Sequence, residues 1–219
     1  MLYIVLPAYN EGAALPDLLE DIEQNCTSIP HQIVVINDGS TDSTSDIVQR
    51  YAQTHKNIHR VNHDQNQGLG AALNSGFQHV MNLNSHFHSH EKQVTQQVPD
   101  MVITMDADNT QPADRIPLLY EQICSGSDLV IASRYVQGGE QHGLSLGRMA
   151  LSWGAGKFMH YFAPISGVRD YSCGFRAYRL SLLAEGFRQY GPNIIKSRNF
   201  SGSKTLKIEV EIPSSFLII

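Results

Sequence analysis

The sequence predicts an α/β fold in which a mostly parallel sheet is flanked by helices within a single domain. Three observations carry this prediction. Short apolar runs of strand character alternate with segments of helical period, which is the pattern of repeated βα units. Polar or glycine-containing loops follow the apolar runs, as is usual where parallel strands end. The 219 residues, 42% of them hydrophobic, are enough for one sizeable core.

Each predicted element is defined by its apolar side chains. Buried strands form continuous apolar runs, whereas helices repeat apolar positions every three or four residues. Strands are predicted at 2–6, 33–36, 58–61, 101–105 and 129–132, and helices at 15–22, through Ile47 and Tyr51, at 70–83 and at 116–123. Thr41 or Asp42 is the predicted N-cap of the second helix, because both side chains accept hydrogen bonds from first-turn N–H groups.

Residues 84–99 are predicted to form an exposed insertion, since this stretch is polar and rich in His and Gln. It contains the alternating residues His86, His88 and His90. Alternating histidines can bind a metal ion, but a solvated loop is the favoured interpretation.

Composition limits the partners and the cellular setting. The formal net charge is -5 and no long Lys/Arg run occurs, which argues against nucleic acid as the main partner. Cys26, Cys124 and Cys173 are widely spaced, so neither a disulfide framework nor a zinc site is predicted, and a reduced cytoplasmic setting is expected. No apolar run reaches the roughly 18 to 20 residues that span a bilayer, so we expect a soluble or peripheral chain.

The most informative stretch is the apolar run 101–105, which ends in Asp106-Ala107-Asp108. The carboxyl ends of buried parallel strands open onto the ligand-binding crevice of α/β proteins. Asp106 and Asp108 point to the same side of an extended chain. Two hard oxygen ligands there suit a divalent cation that in turn holds a diphosphate. Taken alone, such a pair is equally well an ordinary turn after a strand.

The loop after the first predicted strand offers groups that a nucleotide can use. It contains Pro7, Tyr9, Asn10 and Glu11. The aromatic ring can stack on a base, and the amide and carboxylate can form hydrogen bonds with a base or ribose. By itself this loop is only a strand-to-helix turn.

Two further loops add to the predicted site. Asp38 stands next to Gly39, where the backbone can approach a ribose or a uracil-type ligand closely. Gly68 and Gly70 open the third helix, so that backbone N–H groups there can face an anion or a sugar. Leu73 occupies the place of the third glycine in G-x-G-x-x-G, and NAD(P) is therefore discounted.

Together these loops resemble the family 2 glycosyltransferases, which have the GT-A (Rossmann-like) fold. The motifs that carry the resemblance are Pro7-Ala8-Tyr9-Asn10-Glu11, Val35-Ile36-Asn37-Asp38-Gly39-Ser40-Thr41-Asp42, Asn66-Gln67-Gly68-Leu69-Gly70 and Asp106-Ala107-Asp108. Two later stretches are similar to the polyprenyl-phosphate and dolichol-phosphate branch: Ala132-Ser133-Arg134-Tyr135 and Asp170-Tyr171-Ser172-Cys173-Gly174-Phe175-Arg176-Ala177-Tyr178. We therefore predict one GT-A domain over 1–200.

The resemblance implies inverting transfer of a hexose from a nucleoside-diphosphate sugar, and GDP-mannose and UDP-glucose are both compatible with it. It places the nucleotide sugar on the first loop, Asp38, Gly68, Gly70 and Asp106-Ala107. It also implies Mg²⁺ or Mn²⁺ on Asp106 and Asp108, where the cation would neutralise the diphosphate leaving group. Thr110 departs from the branch pattern, since a glutamine at that place can assist the metal.

The expected acceptor is a polyprenyl phosphate. The resemblance implies that Arg134 and Arg176 are catalytic cations and that Ser172 joins them at the acceptor phosphate. A lipid phosphate arrives as an anion and needs cations to position it, whereas a hydroxyl acceptor needs a general base. Asp170 is the base if the acceptor is a hydroxyl. An inactive nucleotide-sugar-binding protein is the other alternative.

The second half of the chain raises the question of a membrane. Residues 143–162 mix apolar and aromatic residues with Arg148 and Lys157, which suits either a helix in the membrane interface or a buried core helix. The first interpretation predicts peripheral contact with the cytoplasmic membrane face. Residues 201–219 are predicted to be an atypical, truncated C-terminus, because the resemblance implies a helix before the Glu-Val strand and this sequence has none there.

Overall fold

The computed structural model describes residues 1–90, 98–132, 173–191 and 193–195. Within these residues the chain forms one six-stranded sheet, five α-helices and a short 3₁₀ helix. Several predicted features lie outside the described residues: Arg134, Asp170, Ser172, the segment 143–162 and the C-terminal segment 201–219.

Strands and helices alternate along the first two thirds of the chain. In order they are β1 Leu2–Ala8, α1 Leu15–Asn25, β2 His31–Asp38, α2 Thr44–Thr54, β3 Ile58–His63, α3 Leu69–His90, β4 Met101–Thr104, the 3₁₀ helix Ala113–Arg115, α4 Ile116–Cys124, β5 Leu129–Ile131, β6 Arg176–Arg179 and α5 Leu180–Tyr190. This alternation confirms the predicted α/β class.

The sheet has the strand order β3-β2-β1-β4-β6-β5. Strand β1 pairs in parallel with β2 and with β4, and β2 pairs in parallel with β3. Strand β6 runs antiparallel to β4 and β5, and its first residue, Arg176, is opposite Thr104 and Ile131. None of the predicted strands lies here, so β6 is an addition to the predicted sheet. Because β6 is antiparallel, its beginning lies at the same edge as the carboxyl ends of the parallel strands.

Apolar residues cover both faces of the sheet. In β1, Leu2, Ile4 and Leu6 belong to one buried cluster, while Tyr3 and Val5 belong to the cluster on the opposite face. Successive side chains of a strand point to opposite faces, so a continuous apolar run fits a strand covered on both sides. The central strands therefore give a rigid frame for the loops at their carboxyl ends.

Helix α3 is longer than predicted. It runs to His90, so residues 84–90 belong to a helix, and the interpretation of this part as a solvated loop is wrong. Neither glycine nor proline occurs between Phe77 and His90, so nothing in the sequence forces the helix to end. Asn84 is also tied to the sheet, since its Nδ2 donates to Oδ2 of Asp100 at 2.9 Å.

Strand ends differ from prediction by one to two residues in most cases. Strand β2 continues to Asp38 and β3 to His63, because these residues still pair across the sheet. Strands β4 and β5 each end one residue earlier than predicted, at Thr104 and Ile131. Among the described helices, none has both the length and the apolar character that crossing a bilayer requires.

Candidate active site

The loops that the sequence analysis singled out meet at one edge of the sheet. Residues after β1, at the end of β2 and after β4 lie at the carboxyl ends of parallel strands, and Arg176 begins the antiparallel strand beside them. The start of α3, with Gly68 and Gly70, follows β3 at the same edge. The structure thus brings these predicted residues together, and Arg134 and Ser172 lie outside the described residues.

Asn10 joins the first loop to the second. Its backbone is in the left-handed region, with φ 60°, a conformation that Asn tolerates better than most residues. Its Oδ1 accepts a hydrogen bond from the N–H of Thr41 at 2.8 Å, and its own N–H donates to Oγ of Ser40 at 3.0 Å. The neighbouring Tyr9 is 45% exposed, so its ring is available for stacking.

The Asp42 carboxylate links the first loop to the start of α2. It accepts hydrogen bonds from the N–H of Gly12 at 3.0 Å and from the N–H of Thr44 at 3.0 Å. Ser43 occupies the N-cap position of α2 and its side chain makes no capping bond. The prediction of Thr41 or Asp42 as the N-cap is therefore wrong by position, although the Asp42 carboxylate does bond the first N–H of the helix.

Carboxylates from three loops converge at this edge. Burial, followed by the charges of Asp108, Asp42 and Asp106, raises the pKa of the Glu11 carboxyl above its ordinary value. Like charges act in this way only when they are close. Glu11, Asp106 and Asp108 therefore share one region of negative potential, which attracts a cation.

Asp106 is held by a glutamine that the sequence reasoning missed. Gln111 Nε2 donates to Oδ2 of Asp106 at 2.6 Å, and Gln111 Oε1 accepts from the N–H of Asp106 at 3.1 Å. The two bonds fix both the backbone and the carboxylate of Asp106. The only signal in the sequence is an amide side chain five residues after Asp106, which is too common to be noticed without the turn geometry.

Asp108 is the more open of the two aspartates. It is exposed, and its Oδ1 accepts from the N–H and the hydroxyl of Thr110 at 3.0 and 2.7 Å. No described residue donates to its Oδ2. Thr110, which departs from the branch pattern, thus orients Asp108. A glutamine, Gln111, stands one position later.

The donor set fits a hard divalent cation. Oxygen atoms of carboxylates are the ligands that Mg²⁺ and Mn²⁺ prefer. Among the described residues, no three His, Cys, Asp or Glu side chains form a complete metal-binding group. Mg²⁺ is typically bound by one or two carboxylates together with substrate phosphates, and Asp106 with Asp108 matches that pattern.

Asp38 is a buried carboxylate whose hydrogen bonds are made within the protein. The sequence predicts that its carboxylate meets a ribose or base, yet the residue is 3% exposed. Its oxygens accept hydrogen bonds from the N–H groups of Gln67 and Gly68 at 2.9 and 2.8 Å, and His63 Nδ1 lies 2.6 Å from Oδ1. In this structure the carboxylate serves the loop that precedes α3.

The segment before β6 lies against Asp106. A Cβ on Gly174 would be 3.1 Å from Oδ1 of Asp106, and the Gly174 carbonyl accepts from the Thr104 hydroxyl at 2.7 Å. Arg176 Nε donates to the Cys173 carbonyl at 2.6 Å. A cationic residue of the second half of the chain therefore stands beside the acidic loop of the first half.

Fold and site together define a class of protein: an α/β protein that gathers carboxylates at the carboxyl edge of its sheet, as GT-A glycosyltransferases do. The model of the family described as "Glycosyl transferase family 2" matches residues 3–187. The chain belongs to this glycosyltransferase family, which confirms the predicted resemblance.

Curated relatives fall in the polyprenyl-phosphate branch. Polyprenol monophosphomannose synthase of Mycolicibacterium smegmatis is 28% identical over 181 residues, covering 82% of this chain and 62% of that protein. Dolichyl-phosphate beta-glucosyltransferase of Trichomonas vaginalis is 32% identical over 192 residues, covering 81% of this chain and 52% of that protein. Undecaprenyl-phosphate mannosyltransferase of Micrococcus luteus is 26% identical over 218 residues, covering 97% of this chain and 82% of that protein. The chain thus spans only 62% and 52% of the first two relatives.

Solved structures confirm the fold. A mannosyltransferase of Pyrobaculum calidifontis, in complex with GDP-Man and Mn²⁺, superposes with a TM-score of 0.51 at 19% identity, covering 84% of this chain and 46% of that one. Glucosyl-3-phosphoglycerate synthase of Mycobacterium tuberculosis, in complex with Mn²⁺, UDP and phosphoglyceric acid, superposes with a TM-score of 0.56 at 19% identity, covering 88% of this chain and 66% of that one.

Proposed function

We propose that this chain is an inverting, metal-dependent transferase that moves a hexose from a nucleoside-diphosphate sugar to a polyprenyl phosphate. The observation that carries the proposal is that Glu11 follows β1 while Asp106 and Asp108 follow β4, two strands that pair in parallel, so that the three carboxylates lie at one edge of the sheet. A cluster of this charge suits a cation that is shared with a diphosphate. The names of the relatives point to the same chemistry.

Each side of the crevice has its own part in the donor site. Mg²⁺ or Mn²⁺ on Asp106 and Asp108 would neutralise the charge that develops on the diphosphate leaving group, an effect of several kcal/mol in metalloenzymes. Gln111 holds the Asp106 carboxylate in place through a 2.6 Å hydrogen bond. Tyr9 offers its exposed ring to the base. Asp38 acts on the donor indirectly, through the loop of Gly68.

The acceptor phosphate binds on the side of β6. Arg176, half-buried at the start of β6, follows directly after the Gly174 segment that abuts Asp106. Cations there position an anionic nucleophile close to the sugar that the acidic loop holds. Arg134 and Ser172 complete this anion site in the proposal. The acceptor is a lipid, so the enzyme works at the cytoplasmic membrane face in peripheral contact with it.

The test separates donor and acceptor in one assay. The protein is incubated with Mg²⁺ or Mn²⁺, a short polyprenyl phosphate and separately labelled GDP-mannose, UDP-glucose or UDP-N-acetylglucosamine, and label in the organic extract is counted. We expect label with one donor, and none without lipid phosphate or with EDTA. Donor binding without extractable label would contradict the proposal.

Two alternatives give different results in the same assay. A transferase that uses a hydroxyl acceptor would turn over the donor without lipid phosphate and would lose activity in Asp170→Asn. A binding protein would retain metal-dependent affinity for the nucleotide sugar, measured by calorimetry, with no transfer to any acceptor.

A further inference from the structure

Three polar side chains from three elements form a continuous chain beside the crevice. His63, at the end of β3, has Nδ1 2.6 Å from Oδ1 of Asp38 and Nε2 2.9 Å from Oγ of Ser75. Asp38 ends β2, and Ser75 lies in α3. The side chains of His63 and Asp38 are only 8% and 5% exposed. We call these three residues the Asp38 network.

The network ends on the backbone of a loop. Beyond His63, the Asp38 carboxylate accepts hydrogen bonds from the N–H groups of Gln67 and Gly68. Gly68 has φ 88°, a conformation that glycine adopts readily. The loop turns there into α3, which begins at Leu69 with Gly70 next. The position of the first turn of α3 therefore depends on where Asp38 places its two oxygens.

A second contact shows how closely this loop is packed. Gly39, directly after Asp38, has φ 67°, and a Cβ added to it would lie 2.3 Å from the carbonyl carbon of Gln65. The end of β2 and the loop 65–68 therefore touch through their backbones as well as through the carboxylate. Small movements of Asp38 will be passed to the loop.

The same connectivity, Ser to His to Asp, serves nucleophilic catalysis in hydrolases. Two observations favour a positioning role here. Ser75 lies in the interior of α3, where backbone N–H groups are used by the helix and cannot stabilise an oxyanion. The Asp38 carboxylate also accepts hydrogen bonds from two loop N–H groups, so it holds the loop as well as bonding His63.

We propose that His63 is a positioning residue of the nucleotide-sugar site. Its Nδ1–H donates to Asp38 while Nε2 accepts a hydrogen bond from the Ser75 hydroxyl, and this pair of bonds holds the carboxylate that orders the loop of Gly68. A pre-ordered loop binds the donor without the entropic cost of ordering it. The proposal rests on the function proposed above and adds the residue that prepares its donor loop.

Two variants of one residue separate the network from general packing. In His63→Asn the amide nitrogen replaces Nδ1 and keeps the bond to Asp38, whereas in His63→Gln it replaces Nε2 and keeps only the bond to Ser75. We expect His63→Gln to raise the KM for the nucleotide sugar about tenfold, as the loss of one charge-assisted hydrogen bond predicts. Both kcat in this variant and KM in His63→Asn should stay within about threefold of wild type.

His55→Gln is the matched control, because His55 is an exposed residue after α2. It should leave KM and kcat unchanged. Equal losses in His63→Asn and His63→Gln, or a wild-type KM in His63→Gln, would overturn the proposal.

Hydrogen exchange tests the network without any substrate. The N–H groups of Gln67 and Gly68 should exchange about tenfold faster in His63→Gln than in wild type and His63→Asn, as loss of their acceptor's support predicts. Unchanged exchange in His63→Gln would overturn the proposal. If wild type transfers no sugar to polyprenyl phosphate while this exchange pattern holds, only the proposed function fails; normal transfer with unchanged exchange removes only the network.

Discussion

Asp38 and Asp108 are carboxylates at the same edge of one sheet, yet they differ in burial and in the hydrogen-bond donors around them. Asp38 is 3% exposed and is bonded by two backbone N–H groups and a histidine. Asp108 is exposed, and only Thr110 among the described residues donates to it. A carboxylate at a strand end can therefore serve either the fold or a ligand, and the hydrogen-bond partners decide which.

The difference follows from where each residue stands relative to its strand. Asp38 is still inside β2, paired in register with His63 of β3, so a neighbouring strand supplies its donor. Asp108 comes four residues after the end of β4, at Thr104, and it pairs with none of the strands in the described residues. Past the strand end, a side chain is satisfied by its own turn or by a ligand.

The largest effect is expected at the open carboxylate. Asp108→Asn should lower sugar transfer about a thousandfold, because an amide holds a divalent cation weakly and several kcal/mol of charge neutralisation are lost. Stability should change little, since only the local Thr110 bonds are involved. Transfer assays and urea unfolding measure the two quantities.

Asp114→Asn is the control for this variant. Asp114 is an exposed acid in the 3₁₀ helix, beside Arg115. It should retain wild-type transfer. Near-wild-type transfer in Asp108→Asn would remove Asp108 from the proposed metal site.

At the buried Asp38, we expect a substitution to affect stability more than sugar transfer. Asp38→Asn replaces an acceptor of three hydrogen bonds with a neutral group that has one acceptor atom, leaving loop N–H groups with weaker partners. We expect a loss of about 2 kcal/mol in the free energy of unfolding, typical of hydrogen bonds to a charged group. Unfolding in urea measures it, and unchanged stability would erase the contrast with Asp108.

Gln111 provides an intermediate case, because it holds the carboxylate of Asp106, a predicted metal ligand, by hydrogen bonds. Gln111→Ala removes both bonds to Asp106 and should weaken the affinity for Mn²⁺ about tenfold, the lower end of what loss of such a support costs a metal site. The concentration of Mn²⁺ that gives half-maximal transfer is the measurement. Gln53→Ala, on the exposed side of α2, should leave this concentration unchanged. An equal shift in Gln53→Ala would show that Gln111 has no specific role at the metal site.

The sequence predicts the frame of this molecule well for a physical reason. The βα alternation, the apolar strands and the order of the loops depend on local patterns, and the structure confirms them. The predicted end of helix α3 is too early, because the polar composition from residue 84 indicates an exposed loop. The hydrogen bond between Asn84 and Asp100 is a tertiary contact, which composition does not reveal. The sequence does not predict strand β6, because its four residues show no clear strand pattern and the strand is defined by its pairing with β4 and β5.

The candidate site was predictable by residue but only partly by role. Asp106, Asp108 and Glu11 come together as their positions after parallel strands imply. The inward turn of Asp38 was not predictable, because it depends on His63, which lies 25 residues away along the chain. Gln111 was missed for a similar reason, since its bonds require the shape of the turn after β4.

The smallest effect concerns the pH dependence of Glu11. Burial and the neighbouring carboxylates raise the pKa of Glu11, so the folded state disfavours its charged form. The resulting destabilisation is fully present above the raised pKa and vanishes as the pH falls below the ordinary value of the unfolded chain. Glu11→Gln should therefore be slightly more stable than wild type at pH 7, and the difference should close as the pH falls toward 4.

Mn²⁺ makes this prediction a test of the acidic cluster. A cation held by Asp106 and Asp108 offsets their repulsion of Glu11, which adds to the effect of burial on its pKa, so added Mn²⁺ should raise the Tm of wild type at pH 7 and raise that of Glu11→Gln less. Thermal unfolding of both proteins with and without Mn²⁺, at pH 7 and pH 4, provides four Tm values for each protein. Equal Tm shifts in both proteins would mean that Glu11 does not belong to the group that attracts the cation, and the contrast with Asp38 would then rest on Asp106 and Asp108 alone.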